Sequence, residues 1–382
     1  YSNWKVGDNP QTGLLLGKKW LVRTDISQFY PSIYTHAISW ALVGKSEAKA
    51  KKGKRYSNLW FNKIDTASQS TTYGETHGVP IGPDTSSLLA EIILSAVDNK
   101  LADKWSYTRA IDDYECYVES YEDGVEFLTS LREELREFGL LLNSKKTEII
   151  ELPKFLDKEW VHEIRQVLML TDTEIVNYKQ VKACLDEANH LAEIYHDAAV
   201  YTFVLSTLKK RKLTENAKEY LIKMYLHWAL IFPYLLPAIS KHLFATFPIE
   251  RSLVSDFVNC LYSQCMKNSN NEGISFSFFF AIKHDVSIEE VDCRDLVSKG
   301  TAISLLLAYL YFKKEEEVTC ANLLVNHAKT LKDEDFDENW IFAYEVLEEA
   351  DFEACYTDDV EWRSVIDEWK RMKNNGVSFV SL

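Results

Sequence analysis

RAIDDYECYV, Arg109 to Val118, sets two adjacent aspartates between two short runs rich in β-branched or aromatic residues. Such runs favour extended backbone, so the pattern predicts a β-hairpin with Asp112 and Asp113 at its corner. Aspartate is an ordinary corner residue, because its short side chain bonds its own main chain and tolerates unusual backbone angles. A corner alone therefore carries no chemistry. A third aspartate changes the reading: Asp25 lies near the end of the apolar run WLVRTDI (Trp20 to Ile26), a predicted strand that leads into a helix-like segment. Three carboxylates on adjacent strand ends suit divalent cations, whose preferred protein ligands are oxygens. Two such cations roughly 4 Å apart stabilise both the attacking and the leaving oxygen of an in-line phosphoryl displacement.

Outward from the hairpin, the chain up to Pro153 mixes short β-like runs with helical patterns and glycine or proline punctuation. SLLAEIILSAVDNKLADK (Ser87 to Lys104) and GVEFLTSLREELREFGL (Gly124 to Leu140) read as helices, WSYTRAI and YECYVES as paired strands, and TEIIELP as a strand stopped by Pro153. This is the α+β order of a sheet covered by helices on one side. Beyond Pro153 the β signals fade and helical periodicity takes over. In YKQVKACLDEANHLAEIY, residues Val181, Leu185, Ala188, Leu191, Ala192 and Tyr195 recur at intervals of three or four. Thr214 stands where it would cap the next helix, and TAISLLLAYLYF, VTCANLLVNHAKTL and NWIFAYEVLEEA continue the pattern. No signature recurs at one period, so residues 154–382 read as an irregular helical array, repeat-like, or as an ordinary all-α domain.

Composition narrows the classes. With 46% hydrophobic and 13% aromatic residues in 382, the chain can bury a sizeable core and is not a disordered protein. The apolar run WALIFPYLLPAI (Trp228 to Ile239) carries two prolines and is too short to cross a bilayer, so no membrane span is expected. The first residue is Tyr1 and no signal-peptide pattern follows it, which suggests a truncated start. Seven cysteines without a CxxC pair are expected as reduced thiols in a cytoplasmic protein, with neither zinc site nor disulfide framework. Up to Pro153 the chain has 18 basic against 21 acidic residues, leaving 25 against 37 for the remainder. An acidic rear repels phosphates, so any nucleic acid is expected on the front half.

The motifs resemble, in order, those of the palm domain of reverse transcriptases. DISQFY (Asp25 to Tyr30) looks like motif A, THGVPIGPDTS (Thr76 to Ser86) like motif B with Gly78 and Pro83 at its glycine and proline, RAIDDYECYV like motif C, and GLLLNSKKTEI (Gly139 to Ile149) like motif D. The resemblance covers about Trp20 to Pro153. It implies a fingers and palm fold in residues 1–153 and a Mg²⁺-dependent nucleotidyltransferase, with Mn²⁺ as the substitute ion. Asp25 and Asp112 would hold the metals and Asp113 would support them. Tyr30 would gate the sugar, Gly78 and Pro83 would line the nucleotide, and Lys146 would offset charge on the leaving pyrophosphate. The chain departs from the family at His77 for glutamine, Gly82 for serine and Ala110 for an aromatic residue, all at contacts to template, primer or nucleotide.

FYPSIYTHAISWALVGK, GVPIGPDTSSLLAEIILSAVD and the helical tail resemble one subgroup in particular, the abortive-infection reverse transcriptases of bacterial phage defence, of the AbiK type. That resemblance implies untemplated, protein-primed synthesis from deoxynucleoside triphosphates, with DNA attached to the protein; a homo-oligomer is a separate reading, taken from the rear tryptophans as interface anchors. A templated enzyme of the retron or intron kind, and a degenerate palm kept as a scaffold, are the alternatives. The basic run GKSEAKAKKGKR (Gly44 to Arg55) reads either as a solvated loop or as a phosphate-binding segment. His36 reads as a packing residue, and Arg23 and Arg109 either as braces of the acidic cluster or as strand-surface residues. Tyr73, Tyr114 and Tyr117 read as base-stacking or core residues, the core being preferred, and Trp340, Trp362 and Trp369 as packing anchors or, second, as an oligomer interface.

Overall fold

The computed structural model describes residues 10–153, 158–331, 333–356 and 360–380. The chain divides into two compact units, Tyr1–Leu156 and Asp157–Leu382, each with its own apolar cluster. The first unit runs through helix α1 (Pro10–Leu15), strand β1 (Trp20–Asp25), and helices α2 (Phe29–Ser32), α3 (Thr35–Val43), α4 (Lys45–Ala50), α5 (Trp60–Ser70) and α6 (Asp84–Leu101). The hairpin β2 (Tyr107–Ala110) and β3 (Asp113–Val118), helix α7 (Tyr121–Glu137) and strand β4 (Glu148–Glu151) follow. The strands form one antiparallel sheet in the order β2-β3-β1-β4.

Side chains alternate across a strand, and here the alternation separates packing from chemistry. Val22 on β1 and Tyr114, Cys116 and Val118 on β3 join a core with Ile93, Leu94 and Val97 of α6 and Phe127, Leu131 and Leu135 of α7. Each fully buried large side chain of this kind contributes roughly 1.5–3 kcal/mol. The intervening residues Arg23, Asp25, Asp113 and Glu115 fall on the other face.

Two boundaries differ from the sequence expectation. Helix α7 begins at Tyr121, ahead of Gly124, because Ser120 Oγ accepts from the Asp123 N–H at 3.1 Å while Asp123 accepts from the Ser120 N–H at 3.0 Å, a capping box. Gly124 lies inside the helix for a packing reason: a Cβ there would stand 3.1 Å from Val22 and 3.2 Å from Ile149. The hairpin strands are shorter than expected because Ile111 takes φ 61°, which withdraws Ile111 and Asp112 from the ladder.

Among the described residues the second unit is helical. Its helix Tyr178–Tyr195 buries Val181, Leu185, Ala188 and Leu191, with Ala192 and Tyr195 packed at the edge. Farther on, Arg251–Lys267, Asn271–His284, Ala302–Lys314 and Asp333–Val346 pack in succession. Trp369 is buried against Tyr344 and Phe352, and Trp340 meets Phe379 edge-on, whereas the Trp362 side chain lies outside the described residues. Thr214 is at the N-cap position of its helix, but its hydroxyl donates to Asn216 Oδ1 at 2.7 Å instead of accepting from the helix backbone. No helix among the described residues is long and apolar enough to cross a membrane.

The cysteine expectation is corrected. Cys293 and Cys320 form a disulfide, their Cα atoms 5.8 Å apart. They begin one helix, Cys293–Lys299, and lie in another, Val318–Thr330, that packs on it, so a pair separated by 27 residues meets in space without a local spacing signal. Tyr73 is also corrected, being 77% exposed where a core position was expected, whereas Tyr114 and Tyr117 are buried.

Candidate active site

The end of the sheet gathers the sequence-selected acids. Asp25, the last residue of β1, pairs in register with Asp113, the first of β3. Both line a cleft of about 350 Å³ together with Arg23, Glu115, Lys146 and Glu148. Asp112 does not line it but occupies the adjoining turn, close enough that Asp25 acts on its charge. The Asp112 and Asp113 carboxyls both lie above the ordinary aspartate range. Partial burial is the main cause, reinforced for Asp112 by the charge of Asp25 and for Asp113 by those of Asp112 and Asp25.

Lys146 reaches this cluster because the segment after α7 folds back along β1. Gly139 at φ 82° reverses the chain. Ile26 then bridges to Leu142, the Ser27 N–H donates to the Leu141 carbonyl at 2.8 Å, and the Asn143 N–H donates to the Asp25 carbonyl at 2.9 Å. A hydroxyl pair between Thr24 and Thr147, 2.7 Å, pins the same crossing. Lys146 Nζ donates to Asp25 Oδ2 at 2.7 Å, and this bond together with the Asp25 charge raises the ammonium's pKa. Asp25 itself is 5% exposed, and its second oxygen, Oδ1, is buried without a hydrogen-bond partner among the described residues.

The hairpin that carries Asp112 is held from behind by Arg109. Its Nη1 and Nη2 donate to Glu91 Oε1 and Oε2 at 2.8 and 2.9 Å, its Nε and Nη2 to Asp98 Oδ2 at 2.9 and 2.6 Å, and Nη1 also to the Ile111 carbonyl at 2.8 Å. The last bond fixes the residue with positive φ that turns the chain toward Asp112. Tyr107 completes the network by donating to Asp98 Oδ1 at 2.6 Å. Arg109 thus bonds none of the three site aspartates; what it holds is the turn before Asp112, through the Ile111 carbonyl. Glu91 and Asp98 were not among the sequence-selected residues. Their spacing of seven along α6 places both on one helix face, and that was the only signal available.

Tyr30, Gly78 and Pro83 lie apart from the cleft lining. Tyr30 hydrogen-bonds Ser87 of α6 through its hydroxyl at 3.2 Å and tilts against Phe29. Gly78, at φ 86°, donates its N–H to the Ile33 carbonyl at 2.8 Å, and a Cβ there would approach the Pro31 carbonyl oxygen to 3.4 Å. Pro83 precedes α6 as its N-cap residue. Arg23 pairs with Glu115 across the strands at 2.9 Å.

A metal fits this donor set in one respect and lacks a preformed cage in another. Among the described residues no group of three or more His, Cys, Asp or Glu side chains is drawn together as a metal site. Yet burying a carboxylate oxygen without a partner is costly, and Asp25 Oδ1 is such an atom among the described residues, while the charge of Asp25 adds to the burial that disfavours ionised Asp112 and Asp113. A cation would relieve both defects, and Lys146 partly does so.

Residues 9–185 match a family model described as reverse transcriptase (RNA-dependent DNA polymerase). No curated protein matches the chain. Among solved structures, the chain is similar to apo telomerase from Candida tropicalis at 12% identity and a TM-score of 0.29, covering 82% of this chain and 52% of that one. It is also similar to telomerase from Candida albicans in complex with a fragment of telomeric RNA, at 13% identity and a TM-score of 0.26, covering 84% and 53%. The chain thus spans about half the length of these structures.

Proposed function

We propose that the chain, whose residues 9–185 match the reverse transcriptase (RNA-dependent DNA polymerase) family model, is a nucleotidyltransferase of that type and polymerises deoxynucleoside triphosphates at the Asp25–Asp113 end of the sheet. The observation that carries this reading is Asp25 itself: buried, opposed in register by Asp113, held on one oxygen by Lys146 and unpartnered on the other.

In the reaction a strand or protein hydroxyl attacks the α-phosphorus of the triphosphate, the bond to the bridging oxygen breaks, and pyrophosphate leaves. Divalent ions, Mg²⁺ with Mn²⁺ as substitute, would be held by Asp25 and Asp112 with Asp113 in support, and would supply Lewis-acid stabilisation of attacking and leaving oxygens. Lys146 sits at the rim of the cleft, two-thirds exposed, where its ammonium can move from Asp25 to a polyphosphate oxygen. Arg109 keeps the turn of Asp112 in place through the Ile111 carbonyl. Tyr30, five residues after Asp25 and bonded through its hydroxyl to Ser87, would be the gate against a ribose 2′-hydroxyl that the likeness of DISQFY to motif A assigns to it.

The finer reading is synthesis without a template, started from a protein hydroxyl and serving abortive infection against phage. Its support is the resemblance of the front motifs and the departures at His77, Gly82 and Ala110, which fall on template and primer contacts. His77 here pairs its backbone with Tyr34 and places its ring 5.0 Å from the Tyr34 ring, so its side chain is engaged with protein. The test is to incubate the full-length protein with each labelled deoxynucleotide and Mg²⁺, with and without RNA or DNA template, and to denature the product. Label retained on the protein without template supports the reading. Product formed only by copying a supplied RNA returns the chain to templated synthesis.

A further inference from the structure

A second pocket, of about 230 Å³, opens in the first unit among α3, α4 and α5, lined by Tyr34, His36, Trp40, Lys49, Lys52 and Asp65 among others. It shares no lining residue with the aspartate cleft. Asp65 is 7% exposed, accepts a hydrogen bond from Gln69 Nε2 at 2.8 Å, and binds His36 at Nδ1. Because a carboxylate only accepts, Nδ1 carries the proton, and the remaining ring nitrogen, Nε2, has no partner among the described residues. Tyr34 fixes the ring edge-on at 4.9 Å and meets Trp40 at 5.5 Å.

The lysines of the basic run are used unequally. Lys45 is paired with Glu137, and Lys51 with Glu47. Lys49 and Lys52, the two that line the pocket, are exposed and have no carboxylate partner among the described residues, and Lys49 Nζ lies 5.6 Å from the Trp40 ring centroid. A buried acid that orients a histidine and two ammoniums without a carboxylate partner combine donors for an anion, beside two aromatic side chains that wall the pocket. His36, expected as a packing residue, is thus also the group that the buried acid aims.

We propose that this pocket binds the phosphate of a nucleotide, with His36 Nε2, Lys49 and Lys52 donating to phosphate oxygens and Trp40 and Tyr34 flanking the nucleoside. The inference goes beyond the polymerase reading and does not rest on it. The phosphate can belong to a free mononucleotide or to a nucleic-acid strand.

The experiment uses the full chain carrying Asp112→Asn and Asp113→Asn, without divalent metal, so that triphosphate chemistry at the cleft is silent. Calorimetric titration with dAMP, deoxyadenosine and inorganic phosphate is followed alongside the His36 ring resonances. Binding of dAMP and phosphate is expected, with deoxyadenosine weaker by ~10-fold or more. The further change Lys49→Ala with Lys52→Ala, at exposed positions that leave the thermal midpoint in place, should weaken dAMP by ~10-fold or more and abolish the His36 response. Short oligonucleotides with 5′-phosphate or 5′-hydroxyl assign the phosphate to a strand end or to internal diesters. Deoxyadenosine binding as well as dAMP, an unmoved His36, or unchanged affinity in the lysine variant each overturns the site. None of these outcomes touches the incorporation assay, so the two readings fail separately.

Discussion

Glu91 and Asp98 behind the β2–β3 hairpin, and Asp112 and Asp113 at its tip with Asp25 beside them on β1, are both groups of partly buried acids, yet the fold treats them in opposite ways. Behind the hairpin, one guanidinium spends its donors on two carboxylates and a carbonyl, and Tyr107 takes a further oxygen. At and beside the tip, three aspartates share one exposed lysine, and a buried oxygen has no partner among the described residues. A fold that can saturate acids a few residues away has no steric reason to leave these unsaturated. The difference separates acids that hold structure from acids held ready for a ligand.

The largest effect should come from the tip. Asp112→Asn with Asp113→Asn removes two ligand charges while keeping shape, and nucleotide incorporation is expected to fall by ~10³-fold or more, about 4 kcal/mol of barrier. Thermal stability should hold or rise, since like charges are removed from a site that already disfavours them. Undiminished incorporation by a folded double variant would remove the catalytic assignment.

Behind the hairpin the balance inverts. Arg109→Met leaves Glu91 and Asp98 facing each other's surroundings without their cation and frees the Ile111 carbonyl, for an expected loss of roughly 3 kcal/mol in a denaturant titration. Glu91 is about half exposed, which keeps the figure at the lower end of the range for broken buried pairs. Arg109→Lys should recover only part of it, because one ammonium cannot reproduce five directed donors. Equal stability of wild type and methionine variant would mean that the network is ornamental and the contrast with the tip has no energetic content.

Lys146 stands between the two groups, a structural partner now and a substrate contact in the proposed reaction. Lys146→Ala is expected to lower the turnover rate by roughly 10-fold to 100-fold with a small change in stability, because the lysine is exposed and its bond to Asp25 is screened. A large stability loss without a rate effect would place Lys146 with the structural acids instead.

How much of this was legible depended on whether a signal was local. Asp25, Asp112 and Asp113 could be placed because alternation and turn chemistry are short-range, and an antiparallel sheet then brought two strand ends together. The helix Tyr178–Tyr195 was readable from one apolar stripe for the same reason. Glu91 and Asp98 were not, since two acids on a helix face usually mark solvent, and only the tertiary fold sets Arg109 against them. Cys293 and Cys320 meet through helix packing across 27 residues, which no spacing rule reaches. The His36–Asp65 pair is likewise a contact between α3 and α5, so the histidine alone read as filler.

The smallest expected effect tests whether Glu91 truly belongs with the satisfied acids. Its hydrogen bonds from Arg109, opposed by burial and aided by the guanidinium's charge, hold its carboxyl below the ordinary glutamate value. A depressed folded-state pKa contributes stability that is present above the unfolded-state value and is lost as pH falls through the folded one. Wild type should therefore lose stability on the acid side more steeply than Glu91→Gln, which binds no proton there, and the two curves should converge at low pH. Curves that stay parallel from neutral pH into acid would show that Glu91 gains nothing from its ionised form, leaving Asp98 as the acid that Arg109 serves.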